Sequence, residues 1–253
     1  KKIARYEKIL KSRDAMNQVI QEDLKQIKEE FAVSRRTVIE DGKEAVYEEA
    51  PMEVQEVVFV MDRFGYCKLL DRQTYERNQE TVDQEYKHRI PCLNTDKICI
   101  FTNTGSLHQV KVMEIPFGKL RDKGTPIDNV SKYDGSREEI VFLTCFGRLT
   151  GQMLLFATRM GMMKQVPAEE FITNNRTVVA TKLQEGDQVA VIRVVGTETD
   201  LVLQTTGDVF LRFSMEEIPE IKKASRGVRG IRMSEGEALE EIYFVSQNPV
   251  ITY

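Results

Sequence analysis

The sequence predicts a mainly β protein, a propeller-like disc preceded by an N-terminal helical segment, and three observations carry the prediction. Beyond Gln55, short runs rich in Val, Ile, Phe and Thr are broken by glycine, the texture of strands and turns. One unit recurs there: apolar strand, tight turn, second strand, longer loop. Its turn glycines, Gly65, Gly105, Gly161 and Gly207, stand 40 to 56 residues apart. A sheet that small cannot bury both faces until neighbours stack on it, so four or five copies imply radial repetition about an axis. The first 31 residues follow a helical period instead.

Taken in order, Ile3, Tyr6, Ile9 and Leu10 mark a helix ending at Ser12. Ser12 suits the N-cap of a second helix, whose Met16, Ile20, Leu24, Ile27 and Phe31 fall on one face. That face needs something to pack on. A polar link follows, with Arg35-Arg36-Thr37 and acids from Glu44 to Glu49. The repeats begin at Glu56 to Lys68 and recur at Lys97 to Gln109, Met153 to Gln165 and Asp200 to Arg212. A further strand pair at Glu139 to Arg148 accounts for the widest interval. Glycine in each turn supplies the positive φ that a tight hairpin needs. The run Asn248 to Tyr253 leaves the number of units open.

Composition narrows the function classes. With 253 residues, 41% of them hydrophobic, the chain can bury one large core plus a helical appendage. Lys1-Lys2 opens it with helical periodicity under way, which reads as a piece of a longer protein. No apolar run reaches the ~20 residues that span a bilayer. Cys67, Cys92, Cys99 and Cys145 are scattered with no CxxC pair, which suits free buried thiols in a reducing, cytoplasmic setting. A net charge of −4 argues against a polyanionic partner unless the cations are segregated. They are: acids collect at Glu138-Glu139, Glu169-Glu170, Glu216-Glu217 and Glu235 to Glu241, bases in the loops between.

The densest base cluster runs from Lys222 to Met233, with Lys222, Lys223, Arg226, Arg229 and Arg232, no acid, and glycines at 227 and 230. A flexible cationic loop suits phosphate; a solvated turn is the plainer reading. The stretch lacks GxxxxGK[ST] spacing, so it is no nucleotide cradle. His88 and His108 lack convergent partners for a metal. The glutamate pairs read as rim solvation rather than acid and base, and Met160, Met162 and Met163 as core filler. A protein-interaction propeller leaves the clustered cations without a use. An enzyme would need an axial His, Asp or Glu cluster, and there are two histidines.

Ala224 to Arg232, the loop Lys123-Gly124-Thr125-Pro126-Ile127-Asp128-Asn129-Val130, the phrase Val112-Met113-Glu114-Ile115-Pro116 and the linker Arg35-Arg36-Thr37 closely resemble the C-terminal region of the A subunit of bacterial type IIA topoisomerases, gyrase and topoisomerase IV. The resemblance covers nearly the whole chain. It implies residues 1–33 as helices leaving the breakage-reunion core, 34–54 as linker, and 55–253 as a DNA-binding β-pinwheel of four to six blades. It implies no active site here, the nucleophilic tyrosine lying upstream, and no cofactor, with ATP and Mg2+ serving an ATP-dependent parent enzyme.

The implied partners are double-stranded DNA and, through the upstream core, the topoisomerase B subunit, with this piece monomeric in a bacterial, nucleoid-associated cytoplasmic setting. The implied DNA-binding residues are Lys222, Lys223, Arg226, Arg229 and Arg232, then Lys119, Arg121 and Lys123, then Arg176 and Lys182. One departure matters. Gyrases carry a glycine-rich basic box after the first hairpin, whereas Gln79 to Pro91 here has no glycine and three acids. That favours a topoisomerase IV-like protein that relaxes and decatenates, with a divergent gyrase as the alternative.

Overall fold

A computed structural model describes residues 2–34, 37 and 53–246; Arg35, Arg36, the acids Glu44 to Glu49 and the run Asn248 to Tyr253 lie outside them. The chain divides into two compact units, Lys1–Met52 and Glu53–Tyr253. In the first, α1 (Lys2–Lys11) and α2 (Arg13–Phe31) are separated by Ser12, whose extended backbone and Oγ cap α2 by accepting the Ala15 N–H at 3.3 Å. The apolar face expected to be covered is open: no residue of either helix is buried, and Met16, Ile20, Leu24, Ile27 and Phe31 are all exposed.

The second unit is built from four antiparallel sheets, here blades 1 to 4. The hairpins are β1 (Glu56–Met61) with β2 (Tyr66–Asp71), β4 (Lys97–Thr102) with β5 (Ser106–Lys111), β8 (Met153–Thr158) with β9 (Met162–Pro167), and β12 (Asp200–Thr205) with β13 (Phe210–Ser214). Against the first strand of each lies one more: β3 (His88–Leu93), β7 (Ile140–Cys145), β11 (Val189–Val194) and β15 (Leu239–Val245). Because β7 packs beside both β3 and β11, these strands mark the inner side of the array.

The outer side is made by exchange. The loop after the second hairpin sends β6 (Thr125–Pro126) back to pair with β2 of blade 1. Likewise β10 (Thr177–Val179) returns to β5 of blade 2 and β14 (Val228–Arg229) to β9 of blade 3. Among the described residues β13 receives no such strand.

Side-chain alternation along the strands explains their continuous apolar runs. Ile98 and Ile100 of β4 face the core shared with blade 1, Cys99 and Phe101 the core shared with blade 3. Leu154 and Phe156 of β8 likewise face blade 2, Leu155 and Ala157 blade 4. Among the described residues blade 1 has no earlier neighbour, and its other face, Val58, Val60 and Leu70, is covered by Val82 and Tyr86 from the chain after β2. That chain folds as α3 (Arg72–Arg77) and α4 (Gln79–Glu85), a terminal cap of the kind stacked repeats require. In β12 burial alternates instead, with Leu201 and Leu203 inward and half-buried Val202 and Gln204 on the opposite face.

Three expectations need correcting. Gly65, Gly105 and Gly161 have positive φ, but in the fourth turn it falls on Asp208 (φ 55°) rather than Gly207. Glu139 to Arg148 is not a strand pair: β7 is a single strand completing blade 2, ending in a 3-10 turn at Phe146–Arg148. Of the methionines near Gly161 only Met163 is buried; Met160 is exposed.

Candidate nucleic-acid interface

Two of the returning loops have the same construction. The Leu69 N–H donates to the Pro116 carbonyl and the Gly118 N–H to that of Leu69, each at 3.0 Å. In blade 3 the Gln165 N–H reaches Pro219 at 3.0 Å and the Ile221 N–H reaches Gln165 at 2.9 Å. Each loop then makes a turn and passes through a glycine into the outer strand. Gly124 (φ 86°) and Gly227 (φ 94°) lie so close to the partner strand that a Cβ would stand 2.6 Å from the Cys67 carbonyl oxygen or 2.5 Å from that of Met163. Only glycine fits there.

Beneath each turn lies a buried lysine. Lys68 Nζ donates to the carbonyls of Lys119 (2.6 Å), Leu120 (2.9 Å) and Asp122 (2.6 Å). Lys164 Nζ donates to those of Lys223 (2.5 Å), Ser225 (2.9 Å) and Ala180 (3.4 Å). Their ammonium groups also lie 5.3 Å from the Tyr86 ring and 5.2 Å from the Phe156 ring. Burial pushes the Lys164 ammonium down from the ordinary lysine range to about 8, so it keeps its proton at neutral pH. Carbonyls turned inward leave the side chains of the turn outward.

Those side chains include most of the predicted residues. Lys119, Arg121 and Lys123 are exposed on the blade 1 loop, Lys222, Arg226, Arg229 and Arg232 on the blade 3 loop. Lys123 Nζ rests 4.1 Å from the Tyr66 ring centroid. Lys182 joins the second group, since its N–H donates to the Ser225 carbonyl at 3.4 Å. Lys223 points the other way, its ammonium bonded to the Glu170 carbonyl and lying 6.0 Å from the Phe171 ring.

Blade 2 differs. Pro116 and Ile127, and Pro219 and Gly230, the points where each long loop docks and rejoins its hairpin, are eleven positions apart in the sequence, against four for Arg176 and Ala180. The turn is missing. Arg176 is paired with Glu114 at 2.9 Å. At the position of the buried lysines stands His108, its Nδ1 2.9 Å from Thr177 Oγ1 and its Nε2 2.9 Å from Glu138 Oε1. Glu138 is therefore no solvated rim acid. Burial raises its carboxyl, but hydrogen bonds from Thr102, the Asp134 N–H and Thr104, with the His108 charge, hold it below the ordinary glutamate value.

Sequence reasoning missed Lys68 and Lys164. The signal was present in Gly65-Tyr-Cys-Lys68 and Gly161-Met-Met-Lys164, a lysine three residues past the turn glycine in two copies of the unit. Among the described residues no cluster of His, Cys, Asp or Glu could hold a metal ion, and no helix is long and apolar enough to cross a membrane.

Comparison with known proteins places this architecture. The family described as DNA gyrase C-terminal domain, beta-propeller, matches residues 152–195 and 199–246, the third and fourth repeats. The DNA gyrase A subunit of Lawsonia intracellularis is 29% identical over 250 residues, covering 94% of this chain and 30% of the relative. Its Helicobacter pylori counterpart is 29% identical over 242 residues, with 90% and 29% covered. The chain thus spans about a third of the length of the curated relatives it matches. Among solved structures, the C-terminal domain of DNA topoisomerase IV superposes with a TM-score of 0.69 at 22% identity, covering 78% of this chain and 63% of that one. The E. coli ParC C-terminal domain gives 0.63 at 15% identity, with 76% and 80% covered. The gyrase C-terminal family thus matches the third and fourth repeats, gyrase A subunits are similar over nearly the whole chain, and the fold, with its repeated antiparallel sheets, is that of the topoisomerase IV and ParC C-terminal domains.

Proposed function

We propose that the outer rim binds duplex DNA through its phosphates, with weak sequence preference, and bends it for strand passage by a parent enzyme whose ATP and Mg2+ chemistry lies outside this chain. The observation that carries this reading is the pair of long loops that put exposed cations, most of them without an ion pair among the described residues, on the outer edges of blades 1 and 3. Lysine and arginine beside phosphates release condensed counterions, an attraction indifferent to sequence and suppressed by salt. Bending a 20–30 base-pair site by 40–90° costs about 1–6 kcal/mol, which several such contacts can offset. Base readout would require an element in a groove, and the candidate residues sit on loops and two-residue strands.

Within that reading a topoisomerase IV-like role, relaxing and decatenating, is favoured by the segment after β2. Where a basic glycine-rich box would serve DNA wrapping, Gln79–Glu85 is a helix carrying Glu80, Asp83 and Glu85 and docked on blade 1. The sequence likeness to gyrase A subunits supports the other reading, a wrapping domain of a divergent gyrase. Duplex binding by the 253-residue chain at two salt concentrations tests the first claim. Replacing Arg226, Arg229 and Arg232 with Ala should lower the slope of log K against log salt by about 2.7, roughly 0.9 per lost phosphate contact; an unchanged slope counts against the rim. Linking-number analysis of circles treated with the parent enzyme, with and without this region, separates the two roles.

A further inference from the structure

Lys68 and Lys164 hold one position in two blades, three residues past the hairpin glycine on the second strand, and each is 1% exposed. A buried lysine ordinarily finds a carboxylate. These two instead collect backbone carbonyls of a loop that arrives from the next repeat, 51 to 54 residues away for Lys68 and 59 and 61 for the two shorter bonds of Lys164. The loops correspond residue for residue: Leu120 matches Lys223 and Asp122 matches Ser225 as acceptors, Gly124 matches Gly227 as the point of closest approach.

Left to itself, a turn carrying two or three like charges would spread over many conformers, and ordering it on a ligand would weaken binding; a turn already ordered escapes that loss. The clamp also adds a positive charge beneath the turn, where the surroundings screen it less than water would. Blade 2 lacks every part of this device, having a loop seven residues shorter, His108 where the lysine would be, and its arginine held by Glu114.

Resting on the DNA reading above, the geometry points to two preformed phosphate-binding stations on the rim, one at Lys119–Lys123 and one at Lys222–Arg226, each shaped by a buried lysine acting as a positioning residue, with blade 2 between them passed over. Lys182, drawn against Ser225, belongs to the second station. The duplex is then gripped at blades 1 and 3 rather than evenly along the rim.

A double-mutant cycle on the 253-residue chain tests this. Lys164→Met keeps the aliphatic stem and removes the donor. It should lower the salt slope by about 2, the loss of roughly two phosphate contacts, although Lys164 itself reaches no DNA. Lys222→Ala with Arg226→Ala should do the same, and the three changes together should do little more than either set. Amide exchange in residues 221–227 should quicken at least tenfold in Lys164→Met while strands β8 and β12 stay protected. Lys68→Met should repeat the pattern in residues 118–124, which keeps the test available should Lys164→Met fail to fold.

Additive effects, or exchange unchanged in both loops, overturn the station proposal while leaving salt-sensitive binding by the unaltered chain intact. Failure of the unaltered chain to bind duplex at all overturns the DNA reading and the stations with it.

Discussion

Replacing Gly227 with Ala probes the junction between the cationic loop and the sheet it completes, and the structure supplies its own control. An alanine at φ 94° meets a left-handed penalty of about 1–2 kcal/mol. Its Cβ would also stand 2.5 Å from the Met163 carbonyl oxygen and 3.0 Å from the carbonyl carbon, well inside van der Waals contact, and neither atom can move without moving β9. The cheaper escape is for β14 to peel away. That forfeits the pairing of Val228 and Arg229 with Met163 and Met162, about 1 kcal/mol per hydrogen bond, and loosens Ile231, which is 4% exposed and whose full burial contributes about 1.5–3 kcal/mol. The cost settles near 3 kcal/mol. Gly236 has φ 83° with nothing within 4 Å of the added carbon, so alanine there should cost about 1 kcal/mol.

For a unit of this size each kcal/mol moves Tm by about 2–4 °C. Thermal unfolding followed by circular dichroism should therefore show a loss of about 6–12 °C for Gly227→Ala and about 2–4 °C for Gly236→Ala. Equal shifts would mean that the close approach of the outer strand to β9 is not what reserves position 227 for glycine.

Two further outcomes follow from burial and charge. The Glu138 carboxyl titrates below the ordinary glutamate value of 4.5, so its contribution to stability is present above that pH and drains away as pH falls through the folded-state value. Glu138→Gln should accordingly give a shallower loss of urea midpoint below about pH 4.5 than the unaltered chain, and parallel acid limbs would refute the assignment. Burial pushes the Cys67 and Cys92 thiols up to about 12, and Cys99 and Cys145 are raised by the same cause. All four should ignore a disulfide reagent at pH 8 until the chain unfolds, since the thiolate is the reactive form; prompt labelling of the native protein would contradict their burial.

What could be read from the sequence was whatever a short stretch decides by itself. Ser12 capping α2, and the positive φ at Gly65, Gly105 and Gly161, follow from local backbone geometry, and the strand texture follows from alternation between two cores. What escaped was decided at a distance. The outer strands β6 and β14 are two residues long, too short to carry a periodicity, and their existence depends on a neighbouring blade's free edge. Lys68 and Lys164 went unmarked because their partners are carbonyls of another repeat. Glu138 read as solvated because nothing local announces His108 beside it. Of the predicted cations, most are exposed, as charged residues in polar loops are expected to be, while the inward turn of Lys223 and the pairing of Arg176 required the packed structure.

The acidic balance of the chain then ceases to oppose a polyanionic partner. Many of its carboxylates have internal work: Glu138 holds His108, Glu114 holds Arg176, Glu198 holds Arg193, Glu217 and Glu237 accept the Ser214 and Ser234 N–H groups, and Glu169 accepts that of Gly151. Among the described residues Lys119, Arg121, Lys222, Arg226, Arg229 and Arg232 form no such ion pair. Screening confines a surface charge to about 10 Å at 0.1 M salt, so a phosphate at the rim responds to the loop it touches far more than to the total of −4. Strand exchange makes that local charge part of the fold, since each cationic loop is also the outer strand of the preceding blade. On the proposed DNA reading, a substitution that frees the loop must therefore register twice, in the stability of the blade it completes and in the hold of that same blade on phosphate, and a variant that altered only one of the two would separate functions this architecture joins.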